Sequence, residues 1–168
     1  MQFIAIILLA ILAAIVYGIC HDQVTARVCV EYFTVAHPPV FQTESPTLLG
    51  LGWGTIATWW MGLVLGIPLA LASRAGKRRV IDARDLVRPI AGLLLIMGLA
   101  ALVFGTSGYL LARSGVVKFP TDWESVISSD QHTRFMFDVW AHMASYLVGF
   151  FGGLVLIVKT WCKRRLIA

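Results

Sequence analysis

Charged residues are scarce in this 168-residue chain, at 14% of the total, where a soluble domain carries about a quarter. That shortage excludes an ordinary soluble domain, and a mean hydropathy of +0.80 excludes a disordered one. Cysteine is nearly absent, with three residues in all, which argues against a secreted scaffold built on disulfides. No phosphate-binding loop, nucleophile elbow or dinucleotide fingerprint occurs. Gly50-Leu51-Gly52-Trp53-Gly54 follows no strand pattern and reads as a close-packed helix entry, so nucleotides are not expected partners. A net charge of +5 raises nucleic acid as a partner. In so apolar a chain, however, lysine and arginine report membrane orientation instead.

What the chain has in quantity is uncharged sequence. Four stretches lack Asp, Glu, Lys and Arg: Met1 to His21, and the intervals between Glu44 and Arg74, Arg88 and Arg113, and Asp138 and Lys159. A helix needs roughly 20 apolar residues to cross about 30 Å of hydrocarbon, and backbone amides in lipid must be satisfied within the segment. The expected fold is therefore an all-α membrane protein, a four-transmembrane-helix bundle in one domain over 1–168, with helices at about 2–20, 47–72, 89–112 and 135–160. The first stretch has a rival reading as a signal peptide. No Lys or Arg precedes Phe3, and Ile19 stands before Cys20 where a cleavage site wants a small residue, so a retained helix is favoured.

The cations are unevenly placed. Ten of the fourteen lie in the second connection (73–88) and the C-terminal tail, against only Asp82 and Asp85. The other end carries Arg27, Arg113, Lys118 and Arg134 against seven acids. The positive-inside rule then makes both termini and the 73–88 loop cytoplasmic, with the connections at 21–46 and 113–134 facing outward. Small residues recur at helix-packing spacing: Ala10, Ala14 and Gly18; Gly62 and Gly66; Ala101 and Gly105; Gly149, Gly152 and Gly153. Such faces suit either close crossings within the bundle or another membrane subunit. Trp53, Trp140 and Trp161 fall near span ends as interfacial anchors, and Trp59 and Trp60 are expected to pack in the core.

The outward connections are expected to form a structured cap. Arg27 to Val35 is rich in β-branched and aromatic residues with polar positions interleaved, and an extended segment or strand fits it until His37-Pro38-Pro39. Thr121-Asp122-Trp123-Glu124 has capping-box spacing and predicts a short helix over about 122–129, with Trp123, Val126 and Ile127 turned toward membrane or bundle.

Chemistry is segregated to the same side. All four histidines and seven of the nine acids fall there. Ionisable groups entering a membrane helix are costly and tend to face a bundle interior or a wet cavity. Asp138 and His142, four apart on one helix face with Ser145 and Tyr146 beyond them, form the first pair of interest. A divalent metal site would draw three or four ligands from His21, Asp22, Glu31, His37, Asp130, His132, Asp138 and His142. Nitrogen and oxygen donors of this kind suit zinc, iron or manganese, although no HExxH spacing occurs. Paired histidines deep in the spans are missing, so haem is not expected. Cys20 and Cys29 are close enough in sequence to close a disulfide in an oxidising compartment; the rival is a pair of free thiols.

The run from Cys20 through His21-Asp22-Gln23-Val24-Thr25-Ala26-Arg27 to His37-Pro38 resembles a stretch in uncharacterised bacterial multi-pass membrane proteins. That resemblance implies a bacterial inner membrane and brings no activity. The functional expectation is a small non-enzymatic binding or interaction subunit with an outward His/acid cap. The alternative is a membrane-embedded metal-dependent enzyme with its site at the outer leaflet.

Overall fold

In the computed structural model, which describes residues 1–166 and side chains through Arg164, the chain forms helices and loops. The helices are α1 (Gln2–Val28), α2 (Glu31–Thr34), α3 (Pro46–Ile56), α4 (Trp59–Arg74), α5 (Ala83–Arg113), α6 (Thr121–Glu124) and α7 (His132–Leu166). Four segments are long and apolar enough to cross a membrane: Gln2–Val28, Pro46–Arg74, Ala83–Arg113 and His132–Arg164. The chain is a multi-pass membrane protein in this sense. The second segment is broken, where one helix over 47–72 was expected. Pro46 starts α3, where its missing N–H costs nothing. The break falls at Ala57 and Thr58. Just there, Thr55 and Thr58 hydroxyls donate to the carbonyls of Leu51 (2.8 Å) and Gly54 (2.6 Å), competing with the helical ladder.

The small-residue faces are consumed inside the chain. A Cβ at Gly62 would stand 2.6 Å from the Ile11 Cα and 2.8 Å from the Ala10 carbonyl oxygen, and one at Gly54 would stand 2.5 Å from the Ile19 Cα. Backbones of α1 and the α3/α4 segment therefore touch, which only glycine permits. On the other side, α5 lies along α7, with Phe137 over Gly105, Trp140 over Gly108 and Met97 over Gly149. Contacts of α4 with α7 and of α1 with α5 close the bundle.

At the basic end lie a core of Ile6, Leu69, Ala70, Leu86 and Ile90 and the buried Arg164. This guanidinium, 1% exposed, donates to the carbonyls of Ala72 (2.8 Å), Ala75 (2.7 Å), Arg78 (3.4 Å) and Arg79 (2.7 Å). One side chain thus ties the end of α7 to the loop between α4 and α5.

The cap at the opposite end departs from expectation. No strand forms over 27–35. Instead α1 runs on to Val28 and a single turn, α2, follows. The polar last turns of α1 are held by α3: Gln23 donates to the Thr47 carbonyl (3.0 Å) and Arg27 to the Thr47 hydroxyl (3.0 Å), while Ala26 packs with Phe33 and Leu49. An extended segment here would need a ladder partner, and helical turns satisfy their own amides. The expected helix over 122–129 shrinks to the single turn of α6, with Pro120 rather than Thr121 at the N-cap. Ile127 is buried with Cys29 and Phe135 while Val126 is exposed. Trp59 and Trp60, expected in the core, are 45% and 43% exposed on the bundle surface.

Candidate functional site

The site arises because α1 does not stop at Cys20. Continuing as a helix, it carries His21 and Asp22 against α7 at the level of His142. The Asp22 Oδ1 lies 3.2 Å from His142 Nε2, and His21 Nε2 lies 3.4 Å from His142 Nδ1. One donor atom from each of the three residues lies within 4.8 Å of the others. The Tyr32 ring stacks on the His142 imidazole at 4.4 Å between centroids, and Tyr17, one turn before His21, shares a hydrogen bond of 2.7 Å with Ser145. A cavity of about 60 Å³ adjoins the cluster, lined in part by Tyr17, Thr58, Met61, Ser145 and Tyr146.

Proton placement exposes an imbalance. The Asp138 carbonyl, 2.9 Å from His142 Nδ1, only accepts, so that nitrogen carries the hydrogen. In a neutral imidazole Nε2 is then a lone pair facing the Asp22 carboxylate, acceptor against acceptor. Asp138, one turn before His142, is fully buried and neither of its carboxylate oxygens has a hydrogen-bond partner. Among the described residues no Lys or Arg pairs with Asp22 or Asp138. Two buried carboxylates, Asp22 within the cluster and Asp138 one turn from His142 on α7, therefore lie near two imidazoles without a paired Lys or Arg among the described residues. Buried charge left so is expensive, and a cation or shared protons would relieve it.

Of the eight residues proposed from sequence, the structure brings His21, Asp22 and His142 together and sets Asp138 beside them. The other four are engaged elsewhere. His37 donates Nδ1–H to the Tyr32 carbonyl (2.7 Å), and His132 stacks on Phe119 at 3.8 Å and donates to the Ile127 carbonyl (2.9 Å). Asp130 accepts from Ser128 and Gln131, and Glu31 accepts from the Cys29 thiol (3.3 Å). The disulfide does not form: Cys20 and Cys29 are both free, Cys20 exposed and Cys29 buried. Nine residues of continuous helix separate them by about 13 Å, beyond the roughly 7 Å Cα limit for a bridge.

Several ionisable groups outside the spans are shifted by their surroundings. Burial, then the Glu31 hydrogen bond and the Glu31 and Asp138 charges, push the Cys29 thiol up to about 12, so it is no nucleophile at neutral pH. Burial likewise raises the Tyr32 phenol and lowers His37. Asp130, fully exposed, is held low by its Ser128 hydrogen bond.

Sequence reasoning missed Tyr17 and Tyr32. Tyr17 is findable, since it precedes His21 by four residues and shares its helix face. Tyr32 reaches the site only through the turn of α2, which the strand expectation hid. No family model, curated protein or solved structure matches this chain. Chemically, two imidazoles and a carboxylate form a donor set that suits a divalent transition metal, next to the cavity of about 60 Å³.

Proposed function

We propose that the protein is an integral membrane binding protein whose ligand is a divalent first-row transition-metal ion held by His21, Asp22 and His142, with Asp138 supplying further negative charge. The observation that carries this reading is the pair of buried carboxylates beside two imidazoles with no Lys or Arg paired to them among the described residues. Softer thiolate sites are excluded by composition of the cluster, and nitrogen and oxygen donors suit zinc, iron, cobalt or manganese. Purified full-length protein, dialysed against zinc, manganese or cobalt and measured by elemental analysis, is expected to retain about one ion per chain. Folded His21→Ala and His142→Ala variants lose it. Absence of a stoichiometric ion from folded wild type under all three conditions overturns the proposal and leaves shared protons as the balancing charge.

A second reading, a metal-dependent enzyme, is favoured by one observation: three protein ligands leave positions open beside the cavity that holds Tyr17 and Ser145. Azide added to the cobalt-loaded protein would shift its visible spectrum at an open site and leave a closed one unchanged.

We further place the protein in a bacterial inner membrane with both termini cytoplasmic and the His/acid end outward. The unequal division of charge supports the orientation, and the resemblance of the Cys20 to Pro38 stretch supports the membrane. Cys162 is exposed near the basic end. A membrane-impermeant maleimide is expected to label it only after the cells are opened, and labelling in intact cells reverses the orientation.

A further inference from the structure

A sizeable cavity lies at the basic end, away from the histidines. It measures about 410 Å³ and is walled by the loop at Arg79 and Ile81, the first turns of α5 and the last turns of α7. Its chemistry is split. Ile81, Leu86, Pro89 and Leu156 line one part with hydrocarbon, while Arg79, Lys159 and Lys163 supply cations against the single acid Asp85. Arg164 also lines it, but its donors are spent on the carbonyls of the loop.

A second observation points to a ligand. Thr160 lines the same cavity and is only 5% exposed, yet its hydroxyl has no hydrogen-bond partner among the described residues. Other buried hydroxyls in these helices do find one: Ser73, on α4, donates to the Leu69 carbonyl at 2.7 Å. A hydroxyl with no acceptor in the fold, opening into a cavity that Arg79, Lys159 and Lys163 also line, is placed to meet an anionic oxygen. The position narrows the choice. Lys159 is the first charged residue after the long apolar stretch of α7, so the cavity straddles the boundary where hydrocarbon gives way to headgroups.

We infer that this cavity binds an anionic phospholipid, its phosphate against Arg79, Lys159, Lys163 and the Thr160 hydroxyl, and the first part of an acyl chain along Leu86, Pro89 and Leu156. A free phosphate would satisfy the cations and leave the hydrocarbon wall wet. A zwitterionic lipid would bring its own cation to a site that already has a surplus.

Native mass spectrometry of the full-length protein in detergent, with graded phosphatidylglycerol, tests this. One tightly retained lipid per chain is expected, with phosphatidylcholine and glycerol phosphate retained far more weakly. Each of Lys159→Gln and Lys163→Gln is expected to weaken retention about fivefold, and Thr160→Val to weaken it without any change in net charge. Lys77→Gln and Arg84→Gln, outside the cavity, serve as charge-matched controls. Equal retention of phosphatidylcholine, full competition by glycerol phosphate, or controls that weaken binding as much as the cavity variants would each overturn the site.

Discussion

Among the described residues, Asp138 and Arg164 are the most deeply buried ionisable side chains, at 0% and 1% exposure, and they sit towards opposite ends of α7. Arg164 spreads its charge over four backbone carbonyls, each with a lone pair to spare. Asp138 meets nothing: both oxygens are buried without a donor. The same helix thus carries one group whose cost is offset within the fold and one whose cost is not. The satisfied group reads as architecture, fastening the loop between α4 and α5 to the end of α7. The unsatisfied one, next to Asp22 and His142, reads as half of an interaction whose other half comes from outside the chain.

Replacing each in turn separates the two roles. Arg164→Met should cost about 3–5 kcal/mol in unfolding experiments in detergent, because it strands carbonyls of Ala72, Ala75 and Arg79 in a partly buried loop. A loss below about 1 kcal/mol would mean those carbonyls are rehydrated at little expense, and the contrast would fail from that side. Asp138→Leu should act in the opposite direction, stabilising the metal-free protein by about 1–3 kcal/mol, since a buried carboxyl group without hydrogen-bond partners gives way to an apolar side chain. With saturating zinc or cobalt the order should narrow or reverse, as wild type, with the extra negative charge beside the ion, gains more binding free energy than the variant. Destabilisation of the metal-free protein by Asp138→Leu would show that the carboxylate has a structural task.

The halves of this contrast were unequally legible in the sequence. The spans could be read because length and apolarity suffice for them, and the glycine steps because close helix packing has few other solutions. The continuation of α1 past Cys20 was not legible. Asp22, Thr25 and Arg27 end the hydrophobic run, while the contacts that offset them come from α3 and α7, both distant in sequence. That one extension decides the site, since it sets the register bringing His21 and Asp22 to His142. Histidine segregation to one end was visible, but His37 and His132 belong to the same group by charge and position. Only the partners they find, a carbonyl for each and the Phe119 ring for His132, remove them from the cluster. Arg164 looked like one more cation of a basic tail, because nothing local distinguishes a guanidinium that turns inward from one that remains in water.

The smallest expected effect concerns how the two ends respond to acid. The basic end contains no histidine, whereas all four lie toward the other. His37, outside the spans, is lowered from its ordinary 6.5 chiefly by burial among Tyr32, Phe33 and Trp53. Of its electrostatic neighbours, the Tyr32 carbonyl and Asp22 oppose this shift and His142 adds to it. Below about pH 6.5 the unfolded cap takes a proton that the folded cap resists, so stability present above that value is lost as pH falls toward the folded one. Hydrogen exchange, corrected for its intrinsic pH dependence, should therefore show residues 29–45 loosening between about pH 7.5 and about pH 5.5 while 75–82 hold steady. His37→Phe keeps an aromatic ring against Trp53 and removes the titrating nitrogen, and it should reduce the acid response of the cap. An undiminished response in that variant would move its origin to His21 and His142, and so to the site itself.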